Sequence, residues 1–164
     1  THDQEEAFEV ADQVVVMRAG RVEQAGTPQE VFDHPANPFV MDFLGNVNVF
    51  HGRAQDGKVL LGGMEVAYPE HPHAESKAVM GYVRPHELDI DRVPTDKSSL
   101  QCTVMQINPA GSVAKVRVMS EEFGIAVNVD LHLERYSELK LKTGEVVYVA
   151  PRRVRVFSPD DYVI

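Results

Sequence analysis

The feature that most constrains the fold is a change in sequence pattern near residue 46. From there onward the chain consists of short runs in which apolar or β-branched residues alternate with polar ones, such as LQCTVMQI, SVAKVRVM and IAVNVDL. A period of two residues is typical of strands that bury one face. Turn-forming residues separate these runs at intervals of about 8–12 residues, which indicates a mainly β fold of the small sandwich or barrel type.

The first 45 residues follow a different pattern, in which helices and short strands alternate. Residues 3–12 have helical spacing, QVVVM and RVEQAG read as two strands, and two more helices begin at TPQE and NPFV. In TPQE, Thr27 is placed to cap a helix, Pro28 takes its first position and Glu30 completes a capping box. We therefore predict two unlike parts with a boundary near residue 46.

Charge and cysteine content exclude several classes of function. The net charge is −9, from 16 basic and 25 acidic side chains, which disfavours binding to a nucleic-acid backbone. The single cysteine, Cys102, excludes an internal disulfide and a CxxC metal site, and its alternating surroundings predict a core position. His71 and His73 are spaced so that they could bind a metal loosely, but no second ligand pair accompanies them, so we predict no metal site.

The N-terminal motifs resemble the end of the nucleotide-binding domain of ABC transporters. The resemblance rests on THDQEEA at 1–7, GRVEQ at 20–24 and GTPQEV at 26–31, in that order and without interruption. It implies that residues 1–45 are the C-terminal end of such a domain, with His2 as the switch-loop histidine that contacts the γ-phosphate of ATP. In the intact parent, ATP and Mg would be the cofactors.

The other elements of an ATP hydrolase do not occur in this sequence. There is no GxxxxGK[ST] phosphate loop, no LSGGQ signature and no apolar strand ending in Asp-Glu. A histidine contact alone cannot hold the nucleotide and its metal. We therefore expect no ATP hydrolysis by these 164 residues alone.

Two further motifs resemble the regulatory part of importer ATPases. FLGNVNVFHGR at 43–53 is similar to the junction in sulfate/thiosulfate importers, and GYVRPHELDI at 81–90 is similar to a strand and turn of their transport-associated OB domain. The resemblance implies an OB-like β barrel over 46–164 that regulates the importer. It also implies an ATPase homodimer, membrane permease subunits as partners, and a cytoplasmic location on the inner face of the plasma membrane.

Basic residues in this second part have two possible interpretations. Arg84 precedes Pro85 at a strand end, and Arg153 and Arg155 share one face of a strand. They could form inter-strand ion pairs or lie on a solvated face. Alternatively, they could bind sulfate as a regulator, with His86 nearby, because guanidinium groups suit oxyanions.

Two alternative functions stay open at this point. The chain could be a stand-alone module that senses a small oxyanion, or the parent could import sugars or polyamines. The wording of the FLGNVN junction argues against the sugar and polyamine importers.

Overall fold

The computed structural model describes residues 3–95 and 98–158. Its contacts divide the chain into two compact units, of which the first includes the residues up to Val47 and the second spans Asn48–Ser158.

The first unit contains three short helices and one β-hairpin. The elements are α1 (Gln4–Val10), β1 (Val14–Arg18), β2 (Arg21–Gly26), α2 (Pro28–Asp33) and α3 (Pro38–Phe43). The two strands pair in antiparallel fashion. Their buried valines form a small core with residues of α2 and α3, namely Val14, Val16, Val31 and Val40.

Helix starts in this unit follow the local chemistry expected from the sequence. In α2, Thr27 Oγ1 accepts a hydrogen bond from the Glu30 N–H at 3.2 Å, and the Thr27 N–H donates to Glu30 Oε2 at 2.9 Å. This reciprocal pair is the capping box that the TPQE motif predicts. In α3, Asn37 Oδ1 accepts from the Val40 N–H at 3.0 Å. Side chains adjacent in sequence therefore fix where each helix begins.

The second unit is built from two five-stranded antiparallel sheets. The first sheet has the order β12-β6-β3-β4-β5, and the second has the order β10-β9-β8-β11-β7. The strands of the first sheet are β3 (Asn48–Gln55), β4 (Lys58–Leu61), β5 (Met64–Ala67), β6 (Lys77–Val83) and β12 (Arg155–Phe157). Those of the second are β7 (Leu88–Asp91), β8 (Leu100–Ala110), β9 (Val113–Ser120), β10 (Ile125–His132) and β11 (Val146–Pro151).

The second sheet curls until its two edge strands approach each other. Cα atoms of β10 come within 8 Å of those of β7 and of the 3-10 turn Pro85–Glu87 that precedes β7. A short helix, α4 (Leu133–Leu139), follows β10. The prediction of a mainly β fold is confirmed. The sheets of this unit are antiparallel, and the second sheet has the curvature of a partial barrel.

One hydrophobic core lies between the two sheets. Alternate residues of almost every strand contribute to it, with Phe50, Leu61 and Met64 from the first sheet among its largest fully buried side chains. This alternation is the same period-two pattern that distinguishes the sequence after residue 46. Within the described residues, no helix combines the length and apolar character that crossing a membrane requires.

A buried amide ties the two sheets together. Asn48, the first residue of β3, donates from Nδ2 to the carbonyl oxygen of Asn128 at 2.8 Å and accepts from the Asn128 N–H at 2.9 Å. Asn128 lies in β10, so the side chain of Asn48 pairs with an edge strand as a neighbouring backbone would. This double hydrogen bond joins positions 80 residues apart in the chain.

Candidate functional site

The basic residues singled out from the sequence lie around one turn and one strand connection. Arg84 follows β6 and caps the 3-10 turn Pro85–Glu87, while Arg155 begins β12. Arg153 lies in the connection between β11 and β12. His2 lies outside the described residues, so its contact with ATP stays a prediction.

Glu87 is the centre of this arrangement. Arg155 Nη1 donates to Oε1 of Glu87 at 2.7 Å and to Oε2 at 2.9 Å, and each of the two side chains is only 9% exposed. The Arg84 N–H also donates to Glu87 Oε1 at 3.0 Å. The Glu87 carbonyl oxygen accepts from the Arg152 N–H at 2.7 Å. One glutamate therefore holds the end of β6, the start of β7 and the β11–β12 connection together.

The surroundings of Glu87 keep its carboxylate ionised. Burial alone would raise its pKa, but the hydrogen bonds from Arg155 and from the Arg84 backbone, with the charges of both guanidinium groups, outweigh burial and lower the pKa below its ordinary value. The Arg84 side chain is itself buried, at 4% exposure. Arg84 and Arg155 thus share a buried environment with an internal carboxylate.

A cavity of about 170 Å³ lies at the connection between β11 and β12, which precedes Arg155 in the chain. Arg152 and Arg153 line it from the β11–β12 connection, and β5 lines it from the other side. Ser98 also lines it, and its hydroxyl donates to the Glu65 carbonyl oxygen at 3.2 Å. The Glu65 carboxylate pairs with Lys58 at 2.9 Å, which offsets its negative charge near the cavity. Guanidinium groups are donors that suit a small oxyanion, whereas the single proton of the Ser98 hydroxyl is already donated to Glu65.

Sequence reasoning missed two residues of this region, Glu87 and Ser98, whereas Arg152 belongs to the basic cluster of PRRVRVF at 151–157. A local pattern could have identified Glu87. In RPHE the proline takes the first position of a turn and the acid takes the third, which is the spacing of a capping box. The sequence could not predict that Arg155 is the ion-pair partner of Glu87, because the two residues are 68 positions apart in the chain. No local pattern marks Ser98.

The histidine pair of the loop 68–76 is not assembled into a metal site. The His71 and His73 rings meet edge to face with centroids 5.3 Å apart, and His71 Nε2 lies 2.7 Å from the Glu75 carbonyl oxygen. Within residues 3–95 and 98–158, no group of three or more potential metal ligands converges.

Cys102 is a buried core residue in β8. Burial raises the pKa of its thiol to about 12, so the reactive thiolate is scarcely populated at neutral pH. The Cys102 side chain therefore packs in the hydrophobic core and does not act as a nucleophile.

Two family models match the second unit. Residues 48–90 match the CysA C-terminal regulatory domain, and residues 94–152 match a TOBE-like domain. The two matches adjoin and together cover most of the two-sheet unit, including Arg84 and Glu87 in the first and Arg152 in the second.

Curated relatives match over all or nearly all of the chain. The sulfate/thiosulfate import ATP-binding protein CysA of Bacillus cereus is 44% identical over 164 residues, which are 100% of this chain and 46% of the relative. The protein of the same name from Nitrosomonas europaea is 42% identical over 159 residues, or 96% of this chain and 44% of the relative. The chain thus spans less than half the length of these relatives.

A solved structure has a similar fold. The cytoplasmic molybdate-binding protein ModG, in a form with molybdate bound, aligns with a TM-score of 0.54 over 68% of this chain and 96% of its own. The sequence identity of 21% makes this a likeness of fold alone.

Proposed function

We propose that the chain belongs with the C-terminal regulatory portion of the CysA family of ATP-binding proteins, and that it regulates the ATPase of a sulfate/thiosulfate ABC importer. The observation that carries the proposal is the 44% identity to such a subunit over the full 164 residues. The two-sheet unit is the regulatory part, and we propose that it corresponds to an OB-like barrel over 46–164. Residues 1–45 would end the nucleotide-binding domain.

The intact protein would couple ATP hydrolysis to inward transport of the anion. His2 would contact the γ-phosphate once a phosphate loop and a Mg-binding carboxylate from the rest of the ATPase stand beside it. The partners would be a second ATP-binding subunit and membrane permease subunits, on the cytoplasmic side of the membrane.

A chimera tests this proposal directly. In the Bacillus cereus relative, the C-terminal segment that aligns with this chain would be replaced by residues 1–164, and the product expressed in a sulfate-import mutant of that organism. We expect growth on sulfate as sole sulfur source, together with sulfate uptake that depends on ATP. A matched chimera carrying His2→Ala should be expressed equally and fail to transport.

The outcome that would contradict the proposal is equally specific. A folded, membrane-associated chimera that hydrolyses ATP without importing sulfate or thiosulfate would overturn the substrate assignment. Uptake of a sugar or a polyamine by the same chimera would favour the corresponding importer instead.

A second candidate function is binding of a regulatory oxyanion, and the cavity beside Arg152 and Arg153 supports it. Arg84 and Arg155 lie on the Glu87 side of this region and would contribute positive charge rather than direct contacts. A module that senses sulfate by itself would use the same cavity. Titration calorimetry of the chain with sulfate, thiosulfate and molybdate tests the idea.

The control for this titration is a substitution of Lys142, an exposed lysine that does not line the cavity. We expect saturable heat with the unchanged chain and with Lys142→Gln, and its loss in the double variant Arg152→Gln/Arg153→Gln. Absence of heat at millimolar anion, or heat that survives the double variant, would refute an anion site here.

A further inference from the structure

The two edge strands of the second sheet face each other across a gap that side chains bridge. Cα atoms of β10 come within 8 Å of those of β7, but in the part of the chain that the structure describes no ladder of backbone hydrogen bonds joins these two strands. Backbone N–H and C=O groups at such edges need partners other than a neighbouring strand. We call this place the β7–β10 gap.

On the β10 side of the gap, the partner is a side chain of the first sheet. Asn48 Nδ2 donates to the Asn128 carbonyl oxygen at 2.8 Å, and Asn48 Oδ1 accepts from the Asn128 N–H at 2.9 Å. The Asn48 amide therefore takes the position beside Asn128 that a neighbouring strand would occupy.

On the β7 side, the partners come from α4 and from β7 itself. Arg135 Nη2 donates to the Ile90 carbonyl oxygen at 3.0 Å, and the Ile90 N–H donates to Asp89 Oδ1 at 2.9 Å. Since α4 begins directly after β10, the Arg135 side chain crosses the gap from the β10 side to the β7 side. Arg135 therefore ties the end of β10 to the middle of β7.

The charges around Arg135 are unbalanced. On β7, Asp89 Oδ1 lies 3.4 Å from Arg135 Nε, and Asp91 Oδ2 lies 3.6 Å from Arg135 Nη2. On α4, Glu138 Oε2 lies 3.5 Å from Arg135 Nη1. One guanidinium group thus holds carboxylates from both sides of the gap, and without its charge the acids of β7 and α4 would repel each other.

We propose that the β7–β10 gap is the place at which the two-sheet unit opens, and that Arg135 is the side chain that keeps it closed. Strands joined by a ladder separate only when the sheet unfolds, whereas strands joined by side chains can separate by local opening. In the open state, α4 and the end of β10 move away from β7, and Arg135 exchanges its protein contacts for water.

This inference goes beyond the proposed function and does not rest on it. It gives the two-sheet unit a position at which its conformation can change, whatever the intact protein transports. The Arg135 side chain is 33% exposed and its three acidic partners are more exposed, so salt can screen the contacts that hold the gap closed.

Native-state hydrogen exchange of the full chain, followed by NMR, tests the proposal. The amides of Ile90 and Asn128 report the two edges of the gap, and the amide of Val118, inside the pairing of β8, β9 and β10, reports the rest of the sheet. With Arg135→Gln, we expect the Ile90 and Asn128 amides to exchange roughly tenfold or more faster, while the Val118 amide keeps its rate. Arg135→Lys keeps the charge but loses the planar fork, so its rates should lie between the two.

Salt gives a second signature, with opposite signs in the two proteins. In the unchanged chain, an increase from about 0.05 M to about 0.5 M salt weakens the attraction to Arg135 and should speed exchange at Ile90 and Asn128. In Arg135→Gln the same increase screens the repulsion between the carboxylates and should slow exchange there. The double variant Arg135→Gln/Glu138→Gln removes one of these carboxylates and should exchange more slowly than Arg135→Gln at low salt.

Lys58→Gln is the matched control for loss of an exposed ion pair. It removes the pair of Lys58 with Glu65 at 2.9 Å in the first sheet, and it should leave exchange at Ile90 and Asn128 unchanged.

Three results would overturn the proposal. The first is an Arg135→Gln variant whose Ile90 and Asn128 amides exchange at the rates of the unchanged chain. The second is an equal acceleration at Val118, which would show a general loss of stability. The third is a salt effect of the same sign in the unchanged chain and in Arg135→Gln.

Discussion

At the scale of single residues, Glu87 has the most consequential position in the two-sheet unit. It accepts hydrogen bonds from the Arg155 side chain and the Arg84 backbone through its carboxylate, and from the Arg152 backbone through its carbonyl. The pair with Arg155 is buried on both sides. Removing one member of such a pair leaves the other charge desolvated without compensation, which is why these pairs are costly to break.

Glu87→Gln should therefore destabilise the protein by about 3 kcal/mol, because the buried Arg155 charge loses its counter-charge. Urea unfolding followed by circular dichroism measures the difference. Glu145→Gln is the matched control, since Glu145 pairs with Arg92 at 3.1 Å in a far more exposed setting, and it should cost no more than about 1 kcal/mol. Equal effects of the two substitutions would contradict the importance given to burial.

The same residue predicts a dependence of stability on pH. The folded-state pKa of Glu87 is lowered, so its stabilising contribution is fully present above the unfolded-state pKa of about 4.3 and is lost as the pH falls through the lower folded value. The gap in unfolding free energy between the unchanged chain and Glu87→Gln should be constant from about pH 7 to about pH 5 and shrink in more acidic solution. A gap that widens in acid would show that the carboxylate pKa is raised instead.

Cys102 should be inert toward thiol reagents in the folded protein. Its pKa of about 12 leaves little thiolate, and the side chain is only 2% exposed. An aromatic disulfide reagent at pH 8 should react with it only as fast as the core opens, and completely in denaturant. Leu60→Cys provides an exposed thiol for comparison and should react at once. Comparable rates at the two positions in the native protein would refute the buried assignment.

At the scale of secondary-structure elements, the start of β3 is more important than its sequence suggests. Asn48 supplies a strand-like pair of hydrogen bonds to Asn128 in the other sheet. The Asn48 residue is only 6% exposed, so shortening its side chain removes both bonds from a largely desolvated position. These two hydrogen bonds therefore hold β10 of the second sheet against the first residue of β3.

Asn48→Ala should lower the unfolding free energy by about 2–4 kcal/mol, because it leaves the Asn128 backbone groups partly buried without partners. The matched control lies two residues away, where Asn46→Ala removes an exposed amide and should change stability by less than about 0.5 kcal/mol. Thermal and urea unfolding both report the difference. If the two alanine variants were equally stable, the tie would have no energetic role.

At the scale of the whole molecule, local chemistry was predictable from sequence and long-range pairing was not. The capping box at Thr27 and the alternating strands after residue 46 follow from neighbouring residues, and the structure confirms both. The division of the strands into two sheets depends on contacts between distant segments, which a period-two pattern cannot specify. The motif resemblance implies a barrel over 46–164, and of the two sheets only the second has the curvature of a partial barrel.

The candidate site illustrates the same limit. Arg84, Arg153 and Arg155 stood out in the sequence because basic groups are scarce in an acidic chain. Their surroundings depend on Glu87 and on β5, which are brought to them only by the folded topology. Contacts within one sequence motif could therefore be predicted from the sequence. Contacts between two distant segments, such as Glu87 with Arg155, could be identified only in the structure.

The tie at Asn48 also bears on how such domains are exchanged during evolution. Asn48 is the first residue of the two-sheet unit, so the seam between the units passes directly beside a residue that β10 requires. Recombination upstream of the seam transplants the regulatory unit with its tie intact. A crossover a few residues later would take Asn48 from one ancestor and β10 from another. Because β10 contributes only backbone groups to the tie, such a hybrid would keep it wherever the ancestor that supplies position 48 carries the amide.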